Sequence, residues 1–252
     1  MANSYLSSDD TVFLQHVDSL QGLRDMDDSS IGLVLSDPPW NTGKSQGLQG
    51  NSYKDSFPDF KAFLFPILQE FHRVLEVNSN CIIHMGYEEA HNVRCWMDEI
   101  FGKSSFVAEL IAHHEAGRGT TENGWAQKHS HILVYRKGKA SPFHFEHVPT
   151  TERKAPVPGY TSDKKCNSVI PATLSTGDGQ RVGYPSQKPV ALYEALIKVY
   201  SDPGASVLDS FAGSGTVGDA ARRAGRTAFL MDSNPQAIDI IKARLQLQLV
   251  ME

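Results

Sequence analysis

Cysteine is scarce in this 252-residue chain: Cys81, Cys95 and Cys166 form no CxxC pair, and three cannot all pair with one another. A disulfide framework is thereby excluded, and a reducing cytoplasm is the expected home. No apolar run is long enough to span a bilayer, and the opening MANSYLSSDD lacks the basic-then-apolar layout of a secretory signal, so no membrane partner is expected. Internal repeats and low-complexity tracts are absent too. What remains, 40% hydrophobic and 21% charged residues, is ordinary globular composition. The length fits one large α/β domain or one domain with a modest insert.

Positive charge is short overall, with a net charge of −5, but it is unevenly spread. Residues 1–101 hold 6 Lys/Arg against 15 Asp/Glu, residues 102–190 hold 12 against 7, and residues 191–252 hold 6 against 7. A basic segment inside an acidic protein is the form a local phosphate-contacting face would take, and equally the form of an ordinary solvated surface. Arg118, Lys128, Arg136, Lys137, Lys139, Arg153, Lys154, Lys164 and Lys165 are the candidates for that face as a set.

Along the chain, Thr11–Val17 reads as a strand, and Ile31–Leu35 as a second that stops at Ser36-Asp37-Pro38-Pro39-Trp40. Continuous apolar runs of this kind suit strands covered on both faces. Helical spacing predicts helices over Pro58–Leu75 and around Glu88–Ile100, separated by a turn at Asn78–Asn80 and a strand at Cys81–Met85. Strands are expected at Phe106–His113 and His131–Arg136, joined by a polar loop from Glu115 to Lys128. Residues 138–180, rich in proline and scattered charge, break the rhythm and read as an excursion. Then follow a helix at Lys188–Tyr200, a strand at Ser206–Phe211, a helix at Thr216–Ala224, a strand at Thr227–Asp232 and a closing helix at Pro235–Leu249. Strand-helix alternation of this sort predicts an open, mostly parallel, twisted sheet with helices on both faces.

Two loops carry the chemistry. In Val207-Leu208-Asp209-Ser210-Phe211-Ala212-Gly213-Ser214-Gly215-Thr216, a strand meets a glycine turn and a helix start, where Gly213 and Gly215 let the backbone approach a ligand. Asp232, ending the next strand, is placed to accept hydrogen bonds from ribose hydroxyls. Gly213, Gly215 and Gly218 also satisfy the dinucleotide pattern GxGxxG, which leaves a nicotinamide or flavin cofactor and a purely structural turn as competing readings. Against a dinucleotide, Asp209 would repel a pyrophosphate, only one helix follows the Asp232 strand, and no second glycine pattern occurs. Asp209 would instead pair with an ammonium, so a nucleoside with an amino-acid tail and no phosphate fits better.

The second loop, Asp37-Pro38-Pro39-Trp40, suits an exocyclic base amine. That amine is a poor nucleophile because its lone pair is delocalised into the ring. Acceptors at its two protons, the Asp37 carboxylate and the Pro38 carbonyl, would draw the nitrogen toward tetrahedral geometry and stabilise the developing charge. The prolines hold the carbonyl rigid, and Trp40 offers a flat face for a base taken out of its stack. The competing reading is a Pro-Pro turn with a packing tryptophan. His113-His114-Glu115 and His129-x-His131 suggest metal ligands on composition, but methyl transfer needs none and no carboxylate has the right pairing. These side chains are expected in the cleft or on the surface.

Here the sequence resembles the DNA amino-methyltransferases, specifically their permuted β group, whose DPPW-type motif precedes the recognition region and whose cofactor loop lies near the C-terminus. Phe65–Gly86 resembles that family's helix-turn-strand, and Tyr184-Pro185-Ser186-Gln187-Lys188-Pro189 resembles its HPTQKP element. The resemblance covers most of the chain outside about 138–180. It implies a Rossmann-like S-adenosylmethionine-dependent methyltransferase domain over 1–252, with 138–180 as a target-recognition insert. The implied catalytic residues are Asp37, Pro38, Pro39 and Trp40. The cofactor would be S-adenosyl-L-methionine, held by Asp209, Phe211, Gly213, Gly215, Thr216 and Asp232, with Lys188 beside it and Asp18 at its edge. Double-stranded DNA is the implied partner, with a homodimer and a cognate restriction enzyme as further partners and the nucleoid as the place of action. DPPW goes mainly with adenine N6, leaving cytosine N4 as the alternative. C5 methylation is disfavoured because no cysteine sits in a Pro-Cys loop. An RNA or protein-amide acceptor, or a non-catalytic nucleic-acid-binding regulator on the same fold, are the remaining readings.

Overall fold

The computed structural model describes residues 3–48, 51–114, 120, 122, 124–152, 163–172 and 181–251. In chain order these form β1 (Ser4–Ser7), β2 (Val12–His16), α1 (Ser19–Arg24), β3 (Ile31–Ser36), β4 (Lys44–Leu48), β5 (Asn51–Asp55), α2 (Phe60–Val74), β6 (Leu75–Met85), α3 (Ala90–Phe101), β7 (Phe106–His113), β8 (His129–Lys137), β9 (Thr150–Glu152), β10 (Asp163–Lys165), β11 (Val169–Pro171), α4 (Val190–Tyr200), β12 (Ser206–Asp209), α5 (Thr216–Arg223), β13 (Thr227–Asp232), α6 (Pro235–Leu245) and β14 (Leu247–Met251).

Every residue of β3 is buried, as a strand covered on both faces requires. Its alternation shows which face is which. Leu33 and Leu35 join Ile82, Val134 and Val207 in one core under α4, α5 and α6. Val34 joins Cys81, Ile83, Leu133, Tyr135 and Leu208 in a second core under α1, α2 and α3. Two apolar layers therefore sandwich one sheet, the three-layer α/β arrangement the alternation predicts.

That sheet has ten strands in the order β11-β7-β8-β6-β3-β12-β13-β2-β1-β14. The central five, β6-β3-β12-β13-β2, are mutually parallel. Both flanks are antiparallel, through β6-β8-β7 on one side and β2-β1-β14 on the other. No helix among the described residues is long and apolar enough to cross a membrane. All three cysteines are free thiols.

Several sequence expectations are corrected. The closing helix ends at Leu245, with Gln246 left-handed at φ 57°, and Leu247–Met251 turns back as β14 against β1. The reason is visible in Leu245-Gln246-Leu247-Gln248-Leu249, whose period is two rather than 3.6. Residues 78–80 make no turn. Strand β6 runs through them, with Asn78 at φ 67° and a register shift against β3 between Ile31 and Leu33. Strand β1 and the hairpin β4–β5 are additions to the expected elements, and the hairpin sequences KSQGL and NSYKD carry no apolar alternation that would announce a strand. Within 138–180, β9 and β10 pair with each other, but β11 joins the main sheet beside β7, and Val148, Ile170 and Ala172 pack on the core. The described part of that stretch, expected as an excursion away from the core, therefore supplies an edge strand and core contacts.

Candidate active site

Parallel strands end on one rim, so the topology alone gathers residues far apart in sequence. Asp37 follows β3, Asp209 ends β12, Asp232 ends β13 and Asp18 lies two residues past β2. The chain leaves β3 toward β6 by way of α2, on one face, and leaves β12 toward β13 by way of α5, on the other. Between β3 and β12 the winding reverses, and open α/β sheets bind ligands in the crevice at that point. Ser36 donates across it to Asp209 Oδ1 at 2.7 Å.

Over this rim opens a cleft of about 920 Å³ lined by Asp18, Asp37, Pro38, Pro39, Trp40, Lys188, Asp209, Phe211, Gly213, Thr216 and Asp232. Its size is near the upper end for small-molecule sites, room for more than one ligand moiety. The two sequence loops, far apart along the chain, thus share one cavity.

On the Asp37 side, the Trp40 indole N–H donates to Asp37 Oδ1 at 2.9 Å. The Lys188 ammonium pairs with Asp37 Oδ2 and lies 4.6 Å from the centre of the Trp40 ring. Burial pushes the Asp37 carboxyl up, while Lys188 and the indole N–H pull it back. The loop is clamped from β5: buried Asp55 accepts from the Asn41 and Thr42 amides at 2.9 and 3.2 Å and from the Thr42 hydroxyl at 2.8 Å. Behind Trp40, Gly86 leaves no space for a side chain, since a Cβ there would lie 2.6 Å from the indole ring. His84, buried 5.8 Å from that ring, bonds the Tyr193 hydroxyl at 2.9 Å and Ser130 at 2.7 Å, and burial holds it neutral.

On the other side, Gly213 and Gly215 adopt φ 51° and 74°, left-handed values that glycine takes without strain. A Cβ at Gly213 would stand 3.0 Å from the Tyr184 ring, at the cleft wall. Gly215 lies behind the cleft instead, facing Ile241 and Leu245 of α6, and Gly218 is where α5 packs on Leu230 and Leu245. The third glycine of the dinucleotide-like pattern is therefore a packing residue. Asp232 accepts from the Gly213 amide at 2.8 Å and the Asn234 amide at 2.8 Å, so it orders the turn as well as facing the cleft. Arg244 of α6, with its side chain only 7% exposed, donates to the Ser214 carbonyl at 2.9 Å, to the Thr216 hydroxyl at 3.2 Å and to Asp219 at 3.1 Å. Asp209 accepts from the Phe211 amide at 3.1 Å as well as from Ser36, and burial raises its carboxyl to about 7. Asp18 caps α1 by accepting from the Gln21 amide at 3.2 Å. Phe211 stands 6.1 Å from Phe63, itself stacked on Phe57 at 4.2 Å, and all three rings line the cleft.

Lys188 lines the same cleft as the glycine turn and touches both halves of the site. Its backbone carbonyl accepts from the Thr216 hydroxyl at 3.4 Å, and its ammonium bonds Asp37. Of the basic candidates among the described residues, none besides Lys188 is part of the cleft lining itself. Strand β8 starts at cleft-lining His129 and ends at Lys137, about 26 Å away at 3.3 Å per residue. Lys137 there donates to the Arg73 and Leu75 carbonyls at 3.2 and 2.6 Å, closing the end of α2. Arg136 faces Ser104 at the same end, and Lys139 is exposed just beyond. Lys165 bonds the Glu146 and Val148 carbonyls at 2.8 and 3.0 Å, and Lys164 is on β10. Lys128 lies next to cleft-lining Gln127 and His129. Arg118, Arg153 and Lys154 lie outside the described residues. Among the described residues, the cations that line the cleft besides Lys188 are Lys44 and Arg181, which sequence reasoning passes over although each neighbours a motif. His114 and His129 also line it, whereas His131 bonds Glu109 at 2.5 Å. Ser36, Asp55, His84, Tyr193 and Arg244 escape sequence reasoning as well, because their partners are remote in the chain.

Known proteins resemble this chain over most of its length. The type II methyltransferase M.HpaI of Haemophilus parainfluenzae is 27% identical over 234 residues, spanning 90% of this chain and 72% of its own. The DNA adenine methyltransferase YhdJ of Escherichia coli K12 is 27% identical over 257 residues, spanning 91% and 81%. Among solved structures, the cytosine-N4-specific PvuII DNA methyltransferase superposes with a TM-score of 0.70 at 16% identity, covering 96% of this chain and 94% of its own. The complex of M1.HpyAVI with SAM does so with 0.66 at 19%, covering 93% and 98%. These likenesses establish the methyltransferase fold. The N6/N4 DNA methylase family model matches residues 31–243, from the strand before Asp37 to the helix behind the glycine turn, and this chain belongs to that family.

Proposed function

We propose that this protein transfers a methyl group from S-adenosyl-L-methionine to N6 of an adenine flipped out of double-stranded DNA. One observation carries the reading: Asp37 and the Asp209-to-Thr216 turn, the two halves a methyl transfer needs, open into a single cleft at the reversal point of the sheet.

The residues present fit the cofactor. Left-handed Gly213 keeps its part of the cleft wall free of a side chain, Asp209 offers a buried carboxylate to an ammonium, Asp232 stands at the adjoining strand end for ribose hydroxyls, and Phe211, Phe63 and Phe57 offer apolar faces to a base. When bound, S-adenosylmethionine supplies a methyl group activated by its sulfonium. Asp37 and the Pro38 carbonyl accept hydrogen bonds from the two amine N–H groups, drawing the nitrogen lone pair out of conjugation, and Trp40 stacks the extruded base; once the methyl is transferred, the nitrogen gives up one proton along the hydrogen bond to the Asp37 carboxylate. In-line approach of nitrogen to methyl is then a matter of positioning.

Adenine is favoured over cytosine by tryptophan and aspartate in the four-residue motif and by the name of the Escherichia coli relative. Cytosine N4 is the second reading, favoured by the fold likeness to the PvuII enzyme. Long-read sequencing of DNA from cells expressing the chain reports modified base, position and motif together. N6-methyladenine at a fixed motif is the expected result; N4-methylcytosine establishes the second reading, and unmodified DNA overturns both. Action on the nucleoid within the cytoplasm, as a dimer or beside a cognate restriction enzyme, accords with this reading.

A further inference from the structure

Lys188 holds a position that the proposed chemistry leaves unexplained. A base in the reading above needs two contacts, an acceptor on Asp37 for its amine and the indole face of Trp40 for its ring. Both are already taken. The Lys188 ammonium pairs with Asp37 Oδ2, the one carboxylate oxygen that Trp40 does not hold, and lies over the Trp40 ring at 4.6 Å. Its side chain and that of Asp37 are only 14% and 19% exposed, so the pair is partly shielded from water. The ammonium also bonds the Ser186 carbonyl at 3.1 Å, and Ser186 is left-handed at φ 61°, which turns the segment over the cleft.

We propose that Lys188 is a placeholder for the target base: its ammonium occupies the amine acceptor and the aromatic face until an extruded base displaces it. An N–H donor over an aromatic ring is what the base amine also presents, so entry is an exchange of one donor for another. The exchange keeps a buried carboxylate from standing uncompensated while the site waits for DNA. The ammonium leaves by rotation of its own four-carbon stem, since its backbone is anchored next to α4 and its carbonyl is bonded by Thr216. This proposal rests on the function given above and specifies how its site is guarded.

The consequences are opposite for two substitutions. In Lys188→Met nothing has to be displaced, so base capture strengthens. In Lys188→Arg the planar fork can bind the carboxylate through two N–H groups and stack on the indole, so capture weakens. Charged and titratable groups facing the pair come from every neighbouring element: Asp55 on β5, Asp209 on β12, Tyr193 on α4 and His84 on β6. Loss of the ammonium lets burial raise the Asp37 carboxyl further, so the gain in Lys188→Met is larger at pH 9 than at pH 7.

The test uses duplexes carrying 2-aminopurine immediately beside the adenine methylated in cells, so that the target keeps its amine, titrated with wild type, Lys188→Met and Lys188→Arg in saturating S-adenosylhomocysteine at both pH values. Unstacking of 2-aminopurine is read as fluorescence. Expected are a dissociation constant about threefold to tenfold lower for Lys188→Met and higher by a similar factor for Lys188→Arg, the range an exposed-to-half-buried ion pair spans. An identical duplex lacking the target base should distinguish the three proteins by less than about twofold. Capture that weakens in both variants, or is unchanged in both, overturns the placeholder while leaving the methyltransferase reading intact. Should Lys188→Met not fold, the Lys188→Arg arm decides by its sign. Wild type that neither unstacks the probe nor methylates an adenine-bearing duplex overturns the reading and the placeholder together.

Discussion

Asp37 and Asp209 are both buried carboxylates with raised titration, yet their tasks differ. In the proposed reaction Asp37 accepts a hydrogen bond at the reacting nitrogen, and Asp37→Ala, measured by tritium transfer from labelled cofactor to duplex DNA, is expected to lower turnover by about 10²–10³, the usual effect of removing a charge-stabilising partner. Cofactor affinity should stay within a few-fold, because the glycine turn is held by Asp232 and Arg244. Asp209 presents a trade between stability and binding. Its carboxyl titrates at about 7 in the folded protein against an ordinary value of 3.8, so the fold holds an extra proton between those values and loses stability as pH rises through them. Asp209→Asn keeps an acceptor for Ser36 and Phe211 while removing the charge. Thermal melts should therefore show the variant gaining on wild type from pH 5 to pH 8, while calorimetry shows weaker cofactor binding at pH 8. A variant that loses stability at pH 8 would contradict burial as the cause of the raised carboxyl.

At the scale of elements, helices and loops from distant parts of the chain hold each motif in shape. Helix α6 reaches back to the glycine turn through Arg244, whose guanidinium satisfies the Ser214 carbonyl and the Thr216 hydroxyl. Replacing it by methionine leaves those groups and Asp219 without that partner, which costs about 1–3 kcal/mol. The expected signature for Arg244→Met is a lower melting temperature together with a rise of about tenfold in cofactor KM, with little change in turnover once cofactor saturates. Between β7 and β8, Trp125 is 85% exposed, two residues from cleft-lining Gln127. A bare indole beside a cleft that takes up a base, as in the proposed reaction, is suited to stack on a nucleobase, an interaction worth about 1–3 kcal/mol. Trp125→Ala should weaken duplex binding in a fluorescence-anisotropy titration by about tenfold. Its cofactor affinity should be unchanged.

For the whole molecule, the net charge of −5 means that DNA is met by local positive groups rather than by the overall field. Lys44 and Arg181 line the cleft, whereas Arg136 and Lys139 stand at or beyond the far end of β8. Each phosphate-neutralising cation contributes about 0.9 to the slope of log affinity against log salt. Lys44→Gln with Arg181→Gln is thus expected to flatten that slope by nearly two, and Arg136→Gln with Lys139→Gln to leave it alone. Equal flattening by both pairs would place the duplex along β8 instead.

Much of this can be read from the chain because it is local chemistry. Apolar runs dictate the covered central strands, since burial on both faces permits nothing polar between Ile31 and Leu35. The glycines of the cofactor turn and the prolines beside Asp37 declare their loops because backbone freedom and rigidity are properties of single residues. The period-two run Leu245–Leu249 is equally legible, although the helix expected over Pro235–Leu249 runs through it, and β4–β5 offers no apolar pattern at all. Only the tertiary structure decided that Asp37 and Asp209 are neighbours, because adjacency of β3 and β12 comes from long-range strand pairing that no local preference encodes. It alone also decided the partners of Asp55, His84, Lys188 and Arg244, since a side chain's hydrogen bond is set by where the sheet carries the other group. For the same reason it gave Lys137 the Arg73 and Leu75 carbonyls at the end of α2 as partners.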